Sequence, residues 1–160
     1  MAKAARPVPE GFHTITPQLT LDDAAKTIDW YKKALGAEEV SRSIGPDGKI
    51  MHAELTIGNS RIMVNDVMMG FKGPQAFGGS PTSLWMYVEN SDVLFNRAVG
   101  AGAKVQMPID DQFWGDRAGA VTDPAGYTWW IATRKEDLTP EETKQRAEAF
   151  FKQMAQSADR

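Results

Sequence analysis

Along the chain, apolar residues alternate with polar ones, then recur every third or fourth position, then alternate again, and this change of period happens twice. Residues 15–21 alternate: Ile15, Leu19 and Leu21 share one face, and Thr16, Gln18 and Thr20 share the other. Pro17 inside this strand places it at a sheet edge or a bulge. Ala24, Ile28, Tyr31 and Leu35 form a helical stripe, with Asp22 or Asp23 as N-cap and Gly36 positioned to end it in the left-handed conformation. Strands follow over 38–44, 49–57 and 61–65, separated by turns at Pro46-Asp47-Gly48 and Gly58-Asn59. On the middle strand Met51, Ala53, Leu55 and Ile57 point one way, and Ile50, His52, Glu54 and Thr56 the other. The order is β-α-β-β-β.

Residues 70–81 are rich in Gly and Pro and read as a linker or as a lid that orders over a ligand. The same order then returns. Residues 83–88 alternate, and Asn90 or Ser91 caps a helix carrying Val93, Phe95 and Val99 that closes at Gly102-Ala103. Residues 104–107 form a strand, and residues 114–131 form a hairpin. Its turn, Asp123-Pro124-Ala125-Gly126, has the type I order of Asp first, Pro second and Gly fourth. An offset of 66 superposes Gly36 on Gly102, the Gly58-Asn59 turn on Pro124-Ala125, and Val64 on Trp130. Thr139-Pro140-Glu141-Glu142 is a capping box ahead of a helix whose stripe is Ala147, Phe150, Phe151 and Met154. That stripe is expected to dock on the domain or on a second subunit. The organisation is a flexible arm over 1–11, one domain over 12–134 and a C-terminal helical segment over 135–160. The domain comprises module one over 12–69, a loop over 70–81 and module two over 82–134.

Composition narrows the function classes. Net charge is −3 and no basic run occurs, so there is no electrostatic footprint for nucleic acid or an anionic membrane. The chain has no cysteine, which removes disulfides, thiolate metal sites and a Cys nucleophile. No apolar run approaches a membrane span, and the first residues lack the apolar stretch of a signal peptide, so a cytoplasmic protein is expected. The spacings of a dinucleotide-binding loop, a P-loop and a nucleophile elbow are all missing.

Two β-α-β-β-β modules, the helix phrase TIDWYKKALGAEE and the hairpin phrase VTDPAGYTWWIA together resemble the vicinal-oxygen-chelate superfamily. That superfamily includes glyoxalase I, the bleomycin-resistance proteins and the extradiol dioxygenases. The resemblance implies an α+β fold, with curved mixed sheets enclosing a concave cavity, in a homodimer. Metal-dependent members hold a divalent ion with four side chains, and those positions fall here on Thr16, Glu54, Ser83 and Trp130. Only Glu54 is an ordinary ligand, because an indole cannot coordinate a divalent cation and isolated hydroxyls bind weakly. No metal and no other cofactor is therefore expected, the alternative being a weakly held divalent ion at Glu54 and His52 with Gln18.

Alternation predicts the cavity lining as Thr16, Gln18, His52, Glu54, Ser83, Trp85, Tyr87, Thr128 and Trp130, with Leu19, Leu55, Leu84, Trp129 and Ile131 under the helices. Such an aromatic wall with one carboxylate and one imidazole suits a small, partly aromatic ligand carrying a cationic or hydrogen-bonding group. Each aromatic residue can equally fill a core or a subunit interface. Glu54 with His52 is either an acid–base pair of a lyase or dioxygenase or a structural pair. Asp116 and Arg117 either pair with each other, or Arg117 rims the cavity and meets an anion. Three functions compete: a small-molecule-binding protein without a complete metal site, an enzyme using Glu54 and His52, and a non-catalytic dimerisation module.

Overall fold

The computed structural model describes residues 6–158; residues 1–5 of the arm lie outside them. Module one comprises β1 (Gln18–Leu21), α1 (Ala24–Leu35), β2 (Glu38–Ile44), β3 (Ile50–Ile57) and β4 (Ser60–Asp66). Module two comprises β5 (Ser83–Tyr87), α2 (Ser91–Gly100), β6 (Lys104–Asp111), β7 (Asp116–Thr122) and β8 (Thr128–Arg134), and α3 (Pro140–Ala158) follows it. Each module is a four-stranded mixed sheet, in the order β1-β4-β3-β2 and β5-β8-β7-β6. In each sheet the first strand lies parallel to the last and the other pairings are antiparallel. The fold is α+β, as the periodicity implied.

Local chemistry accounts for the boundaries. Asp23 caps α1 by accepting from the Lys26 amide, and Gly36 closes the helix at φ 70°, where a side chain would be strained. Ala24, Ile28, Tyr31 and Leu35 are all buried, so the predicted stripe is the packed face. Asn90 caps α2 in the same way. Gly119 of β7 is required for another reason: a Cβ there would stand 2.7 Å from the Phe95 ring and 2.9 Å from the Ile109 backbone. Its bareness lets α2 lie close against the sheet.

Leu19, Leu55, Trp129 and Ile131 are buried under the helices, as alternation required. The modules share one apolar core and meet principally through α1 against α2. The Trp30 indole N–H donates to the Ala101 carbonyl at 2.8 Å, and Arg97 donates to the carbonyls of Lys32 and Lys33. Tyr31 of α1 reaches across to Trp129 of β8 edge-to-face at 5.4 Å.

Several expectations need correction. β1 begins only at Gln18, and Ile15 is 84% exposed instead of buried with Leu19. In β3 it is Ile50 that is buried and Met51 that is exposed; a register irregularity against β2 at this end breaks the alternation. The offset of 66 becomes 67 at the first and last strands of each module. Asp66 accepts from the Ala24 amide where Thr133 accepts from the Ser91 amide, which aligns Val64 with Ile131, not Trp130. The first strands share this offset of 67, since Gln18 pairs with Met63 as Trp85 pairs with Trp130, while the middle strands keep 66.

Candidate functional site

Each sheet has one face away from its helix. On module one that face carries Gln18, Thr20, His52, Glu54, Arg61 and Asn65. Gln18 Nε2 donates to Asn65 Oδ1 at 2.9 Å, and Asn65 is 2% exposed. Arg61 Nη1 donates to Glu54 Oε2 at 2.7 Å, while His52 Nε2 stands 3.6 Å from Glu54 Oε1. The Phe12 ring covers the Arg61 guanidinium at 4.7 Å. Glu54 is thus the counter-ion of a half-buried arginine, with His52 as a looser neighbour.

This disposition does not fit a divalent metal. Of its two good donors, Glu54 is already held by a guanidinium, whose charge repels a cation in the same place, which leaves His52 alone. Among the described residues no group of three His, Asp or Glu side chains converges on one point. In module two, Ala120, which lies opposite Trp130 as Met63 lies opposite Glu54, is the counterpart of Glu54 and offers no donor.

The helix-free face of module two is aromatic. Cross-strand pairing sets Trp85 beside Trp130, and their rings stack at 4.7 Å with 11° between planes. Trp85 also meets Tyr87 at 6.2 Å and Trp114 at 6.3 Å. Ala118, Ala120 and Ala132 floor the face, buried beneath the larger rings. Trp85 is 43% and Tyr87 61% exposed, so this surface is open.

Alternation in β7 puts Asp116 on the same face as Ala118 and Ala120. It is 1% exposed. Its Oδ2 accepts from the Tyr87 hydroxyl and from the Trp114 indole N–H, both at 2.9 Å. Its Oδ1 is buried with no hydrogen-bond partner. Desolvation, together with the bond to Asp116, raises the Tyr87 phenol above its ordinary pKa, so it remains a donor. The reading of the sequence passed over Asp116 as a site residue. Continuing the alternation of Ala118 and Ala120 back by two positions would have found it.

The site residues named from the sequence are divided by the structure. Thr16, Trp85 and Tyr87 share a groove of about 850 Å³ between the modules, which Arg61 also lines. Gln18 borders a smaller cavity of about 320 Å³ near the loop over 70–81. Thr128 lines a third, of about 1080 Å³, between that loop and the β7–β8 turn. Ser83 begins β5 and is exposed; Trp130 lies on the aromatic face. Arg117 is elsewhere: it donates to Asp92 and Asp111, which raise its pKa, and it pairs with neither Asp116 nor the groove. Among the described residues no hydrogen bond, ion pair or ring contact joins the side chains Glu54 and His52 to Trp85, Tyr87 or Trp130. The loop over 70–81 contains a short 3-10 helix, Pro74–Phe77, and packs Pro74 against Gly126 of the turn, not over the aromatic face.

The family model for "Glyoxalase/Bleomycin resistance protein/Dioxygenase superfamily" matches residues 11–131. The chain belongs to this superfamily. It is 41% identical over 133 residues to the uncharacterized protein Rv0887c of Mycobacterium tuberculosis, covering 80% of this chain and 78% of that one. Among solved structures, TioX from Micromonospora sp. ML1 superposes with a TM-score of 0.61 at 26% identity, covering 79% of this chain and 100% of that one. Protein PA1353 from Pseudomonas aeruginosa gives 0.64 at 26% identity, covering 78% and 99%. The superfamily includes enzymes and resistance proteins, so membership fixes the fold and leaves the chemistry to the site. Among the described residues no helix is long and apolar enough to cross a membrane.

Proposed function

We propose that the protein binds a small planar aromatic molecule on the Trp85–Trp130 face, in a cavity completed by a second copy of the chain and without a metal. The observation that carries this reading is the stacked indole pair flanked by Tyr87 and Trp114 and open on one side. Stacked rings with exposed faces give a planar ligand apolar contact area and quadrupole complementarity at little entropic cost. A ligand site normally buries most of its ligand, and one open sheet face cannot do so. The opposite wall is missing within the chain because the modules meet through their helices. A second copy supplies it by setting its own Glu54 and His52 face against the rings. The commitment of Glu54 to Arg61 supports binding over acid–base turnover.

Calorimetric titration with neutral acridine, alongside sedimentation velocity, tests both halves. A dimer binding one acridine per chain is expected, with affinity reduced about ten-fold in Trp85→Leu, the worth of a lost stacking contact of about 1.4 kcal/mol. A monomer, or binding unchanged in that variant, contradicts the proposal. Turnover of a small oxygenated substrate that is lost in Glu54→Gln would favour the enzymatic reading instead.

A further inference from the structure

Among the described residues, Asp116 Oδ1 is buried and receives no hydrogen bond. Buried carboxylate oxygens are ordinarily provided with donors, because removing them from water without a hydrogen bond is costly. Asp123, at the other end of β7, shows the satisfied form. Its Oδ2 accepts from Tyr31 and Trp129, and its Oδ1 accepts from the amides of Ala125 and Tyr127. Asp116 has the same phenol and indole donors on Oδ2 and nothing on Oδ1. Arg134 lies opposite it across the strand pair but gives its Nε to Asp137 at 2.7 Å.

The carboxylate is ringed by aromatic side chains, with Arg134 across the strand pair close enough to feel its charge. Tyr87 and Trp114 are bound to the carboxylate itself, and Trp85 touches both rings. Trp85 and Tyr87 also lie along the rim of the 850 Å³ groove, which β5 lines with residues of both its faces. Aromatic faces attract a cation through their quadrupole, and a carboxylate oxygen accepts from its N–H groups.

We infer that Asp116 selects the ligand's charge: the molecule bound on this face is a planar aromatic cation with an N–H group that donates to Asp116 Oδ1. This rests on the aromatic-binding reading above and specifies the ligand class for the same site. Trp85 is the side chain that shifts to admit the ligand's amine, since it is half-exposed and contacts both rings bonded to Asp116.

Two probes of the same ring size separate the charge from the stacking: 9-aminoacridine, a cation with N–H donors at neutral pH, and acridine, which is neutral there. Calorimetry on the intact protein should show 9-aminoacridine binding at least about ten-fold more tightly, as a charge-assisted hydrogen bond provides. In Asp116→Asn, which keeps the side chain's shape and an acceptor for Tyr87 and Trp114, that preference should vanish while acridine binds as before. Equal affinity for both probes in the unaltered protein overturns the charge selection and leaves aromatic binding standing. A preference that survives Asp116→Asn overturns the role of Asp116. Failure of both probes to bind overturns the aromatic reading as well. If circular dichroism shows that Asp116→Asn does not fold, Tyr87→Phe replaces it. Taking one donor from the carboxylate should then increase the preference for the cation, and an unchanged or smaller preference counts against the inference.

Discussion

Asp116 and Asp123 stand at the two ends of β7, and each receives a tyrosine hydroxyl and a tryptophan N–H on one oxygen. Their other oxygens differ. Asp123 points to the helix side, where its turn folds back and two backbone amides fill Oδ1. Asp116 points to the helix-free face, where β7 has just begun and no amide is directed at it. Asp123 therefore ties α1, the turn and β8 into the shared core, whereas Asp116 leaves an acceptor beside an open aromatic surface. One side-chain chemistry builds the fold in one place and is available to a ligand in the other.

The sharpest way to break this comparison is Asp123→Ala. It strands Tyr31, Trp129 and two amides, and should cost about 3–5 kcal/mol of stability by chemical denaturation. A loss below about 1 kcal/mol would remove Asp123 from its structural role. Next come the paired amides: Asp123→Asn should cost about 2 kcal/mol, since its NH2 faces donors on one side. Asp116→Asn should change stability by less than about 1 kcal/mol, because no donor meets Oδ1. Equal costs for the two would erase the distinction.

Smaller effects follow from the indoles. Trp129→Phe removes a donor from a filled carboxylate in the core and should cost about 1–2 kcal/mol by denaturation. Trp114→Phe acts on a partly exposed ring and should cost about 0.5 kcal/mol. The phenols add a further difference between the two sites that appears in base. Burial and then Asp123 raise Tyr31 well above 10.0; Tyr87 is raised by burial and by Asp116. Both folded values exceed the unfolded one. Their contribution to stability is therefore complete below about pH 10 and is lost as pH rises through the folded values. Denaturation measured against pH should show Tyr31→Phe removing more of this base sensitivity than Tyr87→Phe.

Much of the fold could be read from residue patterns because its signals are local. Caps at Asp23, Asn90 and Thr139, the terminating Gly36 and the Asp123 turn each act within a few residues, and each formed as expected. Alternation also assigned Leu55 and Trp129 to the core and Trp85 and Trp130 to the opposite face. It could not say what covers a face. Glu54 and Trp130 have the same parity on different sheets, and only the packing of α1 on α2 keeps them apart. Arg117 was drawn away by Asp92, 25 residues earlier in the chain, a pairing no local pattern encodes. In the C-terminal stripe Phe150 and Phe151 meet Phe113 while staying exposed, as Met154 does. Asp116 was legible in principle, yet its meaning depends on an oxygen without a donor, which is a property of three dimensions.

A crystal structure of the protein with 9-aminoacridine bound tests the contrast between the two carboxylates most directly. The ring should lie on Trp85, with an amine nitrogen about 3 Å from Asp116 Oδ1 and Asp123 undisturbed. A probe seated elsewhere, with Asp116 still enclosed and its Oδ1 untouched, would contradict it.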